Sequence, residues 1–522
     1  MLKKFICVLL TLACIFSMVA CSSSGEQTPG ESAAQEEAAA TENDTLNVVI
    51  SADPGSLDPH DTTGLPHHQV TRQIFETLVV RGSDGTLQPC LAESWEYEND
   101  TTLVMQIRQG VKFQNGEELK ASDVLFSLKR MREDNTTASM QVEAIDFDKS
   151  AVEGDYTVKI VTYEPSPMLL AQLENPLSCI INEKVYTENN GSFVDEAVIG
   201  TGPYKLVSYT AGDKITLVGN EDYWVEGEPK ISNVVFKIIT DSSSRAIEAE
   251  SGGADIVYDI GANDVDRVAA TEGVNLLREI GTNTQFLSLN ASNEPLTDIR
   301  VRQAIFYALD RSAITALAYG NFGQEATGII CPGVDGRIDL THRWLERDLE
   351  KAKQLLAEAG YPDGIQLDLT APNSDQVRMD ICEAAQAQLA EAGIQVQINY
   401  KEYNTWISDM ISGNATIGEY GFTASTGEAG RVLMRWMPEY SESLVFSWYD
   451  DEYIATCSEA LRTIDDEKRN ELFAQCQEML MDACVVYPLW HKEMNVALQD
   501  HVKGFEMQTS YEQHYLQTVY FE

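Results

Sequence analysis

The sequence predicts an α/β fold arranged as two lobes, and three observations point there. The chain has 522 residues, enough for two or three domains with sizeable cores. A strand at Leu367 to Thr370, a helix at Val377 to Ala392 and a strand at Ile394 to Ile398 follow one another. Such β-α-β alternation implies a largely parallel sheet. Residues 81–194 read instead as a separate α+β unit of short strands, turns and helices.

The chain starts with Lys3-Lys4 and an apolar run from Phe5 to Val19, then Ala20-Cys21 and a polar stretch. A run that short after a basic start reads as a secretory signal over residues 1–20, not a spanning helix. Met18-Val19-Ala20-Cys21 resembles a bacterial lipobox, which makes Cys21 the expected lipidation site; the alternative is plain secretion with an incidental cysteine. Residues 21–44 are rich in Ser, Ala, Glu and Gln and are expected to be a flexible tether. No later apolar run approaches spanning length, so the mature protein is expected to be peripheral.

Without Lys3 and Lys4 the chain keeps 35 basic against 82 acidic residues, about −47. That excess argues against nucleic acid and anionic lipid headgroups as partners. Beyond Cys21 come Cys90, Cys179, Cys331, Cys382, Cys457, Cys476 and Cys484. An odd number at irregular spacing is no disulfide framework, and buried small hydrophobes are the expectation.

Leu46 to Ser51 predicts a strand, Pro54 to Pro59 a loop of fixed shape, and Val70 to Leu78 a helix beneath it. His60, His67 and His68 show no converging ligand spacing and are expected in a solvated loop. Leu103, Met105 and Ile107 alternate as a half-buried strand, which Val111 and Phe113 resume. Asn115-Gly116 is a hairpin turn, and Ser122 is the expected N-cap of a helix with Asp123 in its first turn. Val124, Leu125, Leu128 and Met131 make the buried face of that helix. A strand at Tyr156 to Thr162 and helices from Leu169 and Glu183 complete the unit. Gly200 to Tyr204 reads as a rigid turn into a strand; Pro203 removes a donor and no Lys-Ser/Thr follows, against a phosphate cradle. Tyr223 and Trp224 are expected to pack. Phe286 to Asn290 is the expected crossing into the second half, Asp298 an N-cap, and Glu350 to Gly360 a helix ended by Gly360. Leu472 to Met481 is a helix, and Val485 to Trp490 the returning strand.

The order LAESW, an acidic turn at Asn99-Asp100, IRQGVKF, NGEEL and ASDV is very similar to the signature of the family 5 solute-binding proteins, the dipeptide-, oligopeptide- and nickel-binding receptors of ABC importers. The likeness continues through Ser56-Leu57-Asp58-Pro59, Gly200 to Tyr204, Asn220 to Trp224, Gly252 to Ile256 and Pro295 to Asp310, and covers roughly residues 46–505. It implies a two-lobed periplasmic-binding-protein fold of type II, in the large three-subdomain variant, with a hinge cleft. Residues 45–80, 195–288 and 491–522 would form the main part of lobe I, 81–194 its accessory subdomain, and 289–490 lobe II.

By the same resemblance, Gly418 to Glu428 lines the cleft from lobe II. Peptide-specific relatives carry an Asp where Ser425 stands, and dipeptide binders an Arg where Pro372 stands. Ser425-Thr426-Gly427-Glu428-Ala429 and Ala326-Thr327-Gly328 look instead like the glutathione-binding branch. Ser425 and Thr426 offer hydroxyls, Glu428 a charge for an ammonium, and Gly427 room for close backbone approach. Ser56, Tyr403, Trp406, Tyr420 and Trp490 complete the expected ligand-binding set, the aromatics by stacking. Arg378, Arg431 and Arg435 remain equal candidates for a ligand carboxylate.

The chain thus reads as a non-enzymatic, lipid-anchored receptor on the outer face of a bacterial cell membrane. It would act as a monomer, without cofactor or bound metal, passing a peptide or peptide-like solute such as glutathione to an ABC permease and its ATPase subunits. The alternatives are a nickel or metallophore receptor of the same fold, and an exported enzyme. Against the enzyme, no G-x-S-x-G elbow and no H-E-x-x-H helix occurs.

Overall fold

Two long antiparallel strands, Val274–Leu289 and Val486–Gln499, carry the chain between the lobes. The computed structural model describes residues 44–522 except 62–63, 83–84, 135, 321, 374–375, 425–426, 439–447 and 509–513, and only the backbone at Asn404, Ile407 and Ile411. The expected signal peptide, Cys21 and the tether before Asp44 lie outside the described residues. The crossing is longer than the sequence suggested. Residues 274–280 already pair with 493–499, before the apolar stretch from Phe286 begins. The register shifts between Ile280 and Thr284, where a Cβ on Gly281 would stand 3.0 Å from Met494 Cγ.

These strands lie within an eleven-stranded sheet. On one side follow Ile417–Thr423, Ile365–Pro372 and Ile394–Lys401; on the other Ile256–Tyr258, Thr45–Ile50, Asn233–Ile238, Lys214–Gly219 and Tyr204–Thr210. The largely parallel sheet expected from β-α-β alternation is in fact mixed. Parallel pairing is confined to Ile365–Pro372 with its two neighbours and Thr45–Ile50 with its two. A chain that leaves lobe I and returns beside itself must pair antiparallel at the crossing.

Buried side chains from Phe286 to Trp490 form the core of lobe II. Those from Leu78 to Ile180 form a second core, and Leu46, Tyr204, Phe236, Leu498 and Val519 belong to a third in lobe I. The sheet Ala92–Asn99, Thr102–Ile107, Thr157–Val161 and Ala151–Val152 backs the second core. Its helix Ala121–Glu133 starts earlier than expected: the cap is Lys120, whose N–H donates to Asp123 Oδ2 at 2.9 Å, and Ser122 lies inside the first turn. Val111 and Phe113 are buried, but only an isolated bridge from Lys112 to Glu118 marks a strand there.

The helix expected at Val70 to Leu78 is instead Leu65–Thr71, with Pro66 in its first turn. Pro fixes φ and lacks an N–H that the first turn leaves unbonded, so it favours this start. The turn Gly200 to Tyr204 is steric rather than chemical. A Cβ on Gly200 would stand 2.0 Å from the Ile74 carbonyl oxygen, and the Gly202 N–H donates to that oxygen at 2.9 Å. All seven cysteines among the described residues are buried and free.

Candidate functional site in the interlobe cleft

On lobe I, the loop after the first strand is held by charge. Asp58 takes both arms of Arg130, Nη1 to Oδ1 at 2.7 Å and Nη2 to Oδ2 at 2.5 Å. Burial alone would raise the Asp58 carboxyl, but the Arg130 hydrogen bond and charge outweigh it and hold it below its usual value. Ser56 Oγ accepts the Asp58 N–H at 3.1 Å and is half-buried. The three histidines are not in a solvated loop as expected. His60, His67 and His68 are all buried. His60 Nδ1 meets Arg130 Nη1 at 2.7 Å and Nε2 meets the Cys179 carbonyl at 2.8 Å, while His67 Nε2 meets the Asp58 carbonyl at 2.8 Å. Burial, then Arg130, push the His60 pKa down to about 4, so the ring is neutral. Among the described residues no group of three or more His, Cys, Asp or Glu is placed to hold a metal.

On lobe II, Tyr403, Trp406 and Tyr420 form a chain of rings, with centroids 5.4 and 5.3 Å apart. Trp406 is fully buried and Tyr403 is 51% exposed, so the chain runs from core to surface. The Arg378 guanidinium lies 5.2 Å from the Trp406 ring and 3.5 Å from Glu419, a fully buried carboxylate. Gly427 has φ +68°, and a Cβ there would stand 3.1 Å from Arg81 Cζ of lobe I. Glycine is thus required twice over, by conformation and by proximity to the opposite lobe. Glu428 is ion-paired to Arg469 at 3.0 Å, and Gly427 and Ala429 exchange backbone hydrogen bonds with Asp335 at 2.8 Å. Burial pushes the Glu428 carboxyl up against the pull of Arg469. Ser425 and Thr426 lie outside the described residues. Trp490 is buried against Tyr319, with ring centroids 3.5 Å apart, and a Cβ on Gly323 would stand 2.1 Å from its Nε1.

The lobes meet around a cavity of about 430 Å³. Lobe I contributes Glu143, Glu164 and Met168; lobe II contributes Met434, Met437 and Arg462. The size suits a small organic solute, and the mixture of thioethers with opposite charges suits one that is both apolar and zwitterionic. Arg462 is ion-paired to Glu164 across the mouth. Outside the residues that line it, Arg431 Nη2 lies 3.0 Å from Met140 Sδ of lobe I. Burial raises the Glu143 carboxyl, countered by Arg431, Arg435 and Arg132. None of the described residues singled out from the sequence lines this cavity, and sequence reasoning missed Glu143, Glu164, Met168, Met434 and Met437, which do. Nothing local sets Glu143, Glu164 and Met168 apart in the sequence; they reach the cavity because the two lobes meet there.

The sequence profile described as "Bacterial extracellular solute-binding proteins, family 5 Middle" matches residues 86–442. The glutathione-binding protein GsiB of Salmonella paratyphi A is 25% identical over 470 residues, covering 88% of this chain and 91% of the relative. Its counterpart in Escherichia coli K12 is 24% identical over 471 residues, with the same shares. The periplasmic binding protein AgaA of A. tumefaciens R10, solved with agropinic acid, superposes with TM-score 0.78 at 26% identity, covering 92% of this chain and 99% of the other. CtaP of Listeria monocytogenes, an ABC transporter substrate-binding protein, superposes with TM-score 0.82 at 20% identity over 92% and 100%. The α/β fold is therefore that of the periplasmic binding proteins.

Proposed function

Because the chain belongs to the bacterial extracellular solute-binding proteins of family 5, we propose that it is the receptor of an ABC importer, capturing a peptide or peptide-like solute between its lobes and delivering it to the permease. Glutathione is the first candidate, since relatives named for binding it align with 88% of the chain. The observation that carries the reading is the cavity of about 430 Å³ walled by both lobes, with Glu143 and Glu164 on one side and Arg462 on the other. Such a space can bind and release its contents by hinge motion. Solute capture is therefore the assignment, in keeping with the family.

We assign Tyr403, Trp406, Tyr420, Gly427 and, from the sequence, Ser425 and Thr426 to solute contacts on lobe II outside the residues that line this cavity, and Ser56 to lobe I. Glu428 supports the lobe II contacts through Arg469, and Trp490 through Tyr319. The subdomains are residues 45–80, 195–288 and 491–522, then 81–194, then 289–490, a division that the separate hydrophobic cores support. We also assign Cys21 as a lipid anchor on the outer face of the membrane, carrying a monomer. No described helix is long and apolar enough to cross a membrane.

A thermal-shift screen of the ligand-stripped protein tests the cargo. The panel is glutathione, di- to pentapeptides, free amino acids, and nickel with and without histidine. A solute at 100 times its Kd stabilises the folded state by roughly 2.7 kcal/mol. Shifts with glutathione or peptides support the reading; a shift with nickel chelates alone refutes peptide cargo. Replacing Cys21 by Ala should release the protein from membranes into the soluble fraction, and retention would sink the anchor.

A further inference from the structure

Of the three arginines that the sequence left equal, only one fits the role of solute partner. Arg378 faces the Glu419 carboxylate at 3.5 Å and the Trp406 ring. Arg435 is half-buried and lies over the Phe422 ring at 5.1 Å, within reach of water. Arg431 is 4% exposed. The hydrogen-bond acceptors at its guanidinium are two thioethers, Met140 Sδ at 3.0 Å from Nη2 and Met434 Sδ at 3.7 Å from Nη1. Among the described residues no carboxylate comes within ion-pair distance of it. Thioethers are weak acceptors, and a guanidinium buried among them has given up its hydration with little return. Nearby arginine side chains behave otherwise: Arg462 has Glu164, and Arg469 has Glu428 and Asp466.

The position of Arg431 matters as much as the thioethers around it. It belongs to the short helix Gly430–Leu433 of lobe II, and its Met140 contact is with lobe I, so it spans the closing surface. Met434, one of the two sulfurs on it, lines the interlobe cavity, as do Glu143 and Met168. Met168 Sδ would stand 3.0 Å from a Cβ on Gly430, so the backbone beside Arg431 abuts the same cavity. Flexible thioethers can yield to a ligand that offers a better acceptor.

We infer that Arg431 holds a carboxylate of the solute, and that this receptor therefore selects solutes presenting a free carboxylate to lobe II. The inference rests on the reading of the cleft as the solute site. A carboxylate would meet the guanidinium fork in bidentate fashion, whereas an amide or ester offers only a neutral acceptor.

The test uses glutathione and a defined set of tri- and tetrapeptides, each peptide as free acid and as C-terminal amide, with affinities from calorimetry. The wild type should bind the acids about 10- to 100-fold tighter than the amides, the value of one charge-assisted pair. Arg431→Met should erase that difference, and Arg431→Lys should keep part of it. Unliganded Arg431→Met should melt no lower than the wild type, since it places a thioether among thioethers and removes a buried charge. A melting point several degrees lower would make Arg431 a structural residue and overturn the inference. Equal affinity of the wild type for acids and amides would overturn it while leaving the cleft reading intact. Failure of the wild type to bind any member of the set would remove the peptide reading and the inference together.

Discussion

Arg278 presents its guanidinium fork to Glu493 at the crossing between the lobes, Nε to Oε1 at 2.6 Å and Nη2 to Oε2 at 2.9 Å. Glu493 pairs with Ile280 across the two strands, at the last regular position before the register shifts, and also accepts the Gly323 N–H at 3.2 Å. One buried carboxylate thus ties the crossing to a loop of lobe II. Glu493→Gln should cost about 1–3 kcal/mol of stability in urea titration, the range for a lost charge-assisted pair. A loss below about 0.5 kcal/mol would mean that solvent already screens the pair.

Stability should fall in mild acid, and histidines rather than carboxylates should start the fall. Five of the seven histidines are buried, and burial lowers the pKa of each, to about 4 for His60 and about 3 for His491 and His514. Their folded values lie below the unfolded 6.5, so between the two the unfolded chain binds more protons. Their contribution is therefore full above pH 6.5 and is lost as pH falls, through about 4 in the case of His60. Every tenfold weakening of proton binding in the folded state corresponds to about 1.4 kcal/mol. Melting temperatures from pH 7.5 to 4.5 should decline, and His60→Gln should flatten the slope; an unchanged slope would assign the decline to other groups.

Gly200→Ala should be among the most damaging single-methyl additions in the chain. The new carbon would lie 2.0 Å from the Ile74 carbonyl oxygen, a backbone atom that cannot rotate away. A cost of about 3 kcal/mol or more is expected from overpacking, seen as a lowered urea midpoint. A neutral result would show that the turn relaxes independently of residues 73–74.

The ion pair Arg462–Glu164 bridges the lobes in the open, with side chains 52% and 58% exposed. Arg462→Ala should change stability by less than about 1 kcal/mol. Its effect should appear in ligand affinity, whose dependence on ionic strength should weaken because a screened interlobe attraction is gone. An unaltered salt dependence would place closure elsewhere.

Much of the fold could be read from the chain because apolar periodicity and caps are local signals. Asp298 caps its helix by accepting the Arg300 N–H, as its place before the helix implied, and Gly252 ends the helix Ser242–Ser251 in the left-handed region. Errors arose where burial imitated helicity. Val70, Ile74, Phe75 and Leu78 are all buried, yet the helix stops at Thr71, so their spacing reported a core contact and not a helical face. Ser122 lost the cap to Lys120 because Asp123 reached back first. Histidines looked polar, but His60 is held neutral inside by burial and Arg130. Around the candidate site, Arg81 beside Gly427, Met140 beside Arg431 and Glu143 in the cavity come from distant parts of the chain that no local pattern connects.

The shared sheet has a consequence for how the protein comes into being. Lobe I is finished by residues from far apart: the strand Thr45–Ile50 lies beside Ile256–Tyr258, which in turn needs Val496–Leu498, and Leu516 and Val519 fill the same core as Leu46. A nascent polypeptide that has emerged only as far as lobe II holds no completed lobe, and pairing at such separation is slow. The chain cannot complete the core of lobe I until nearly all of it has been made.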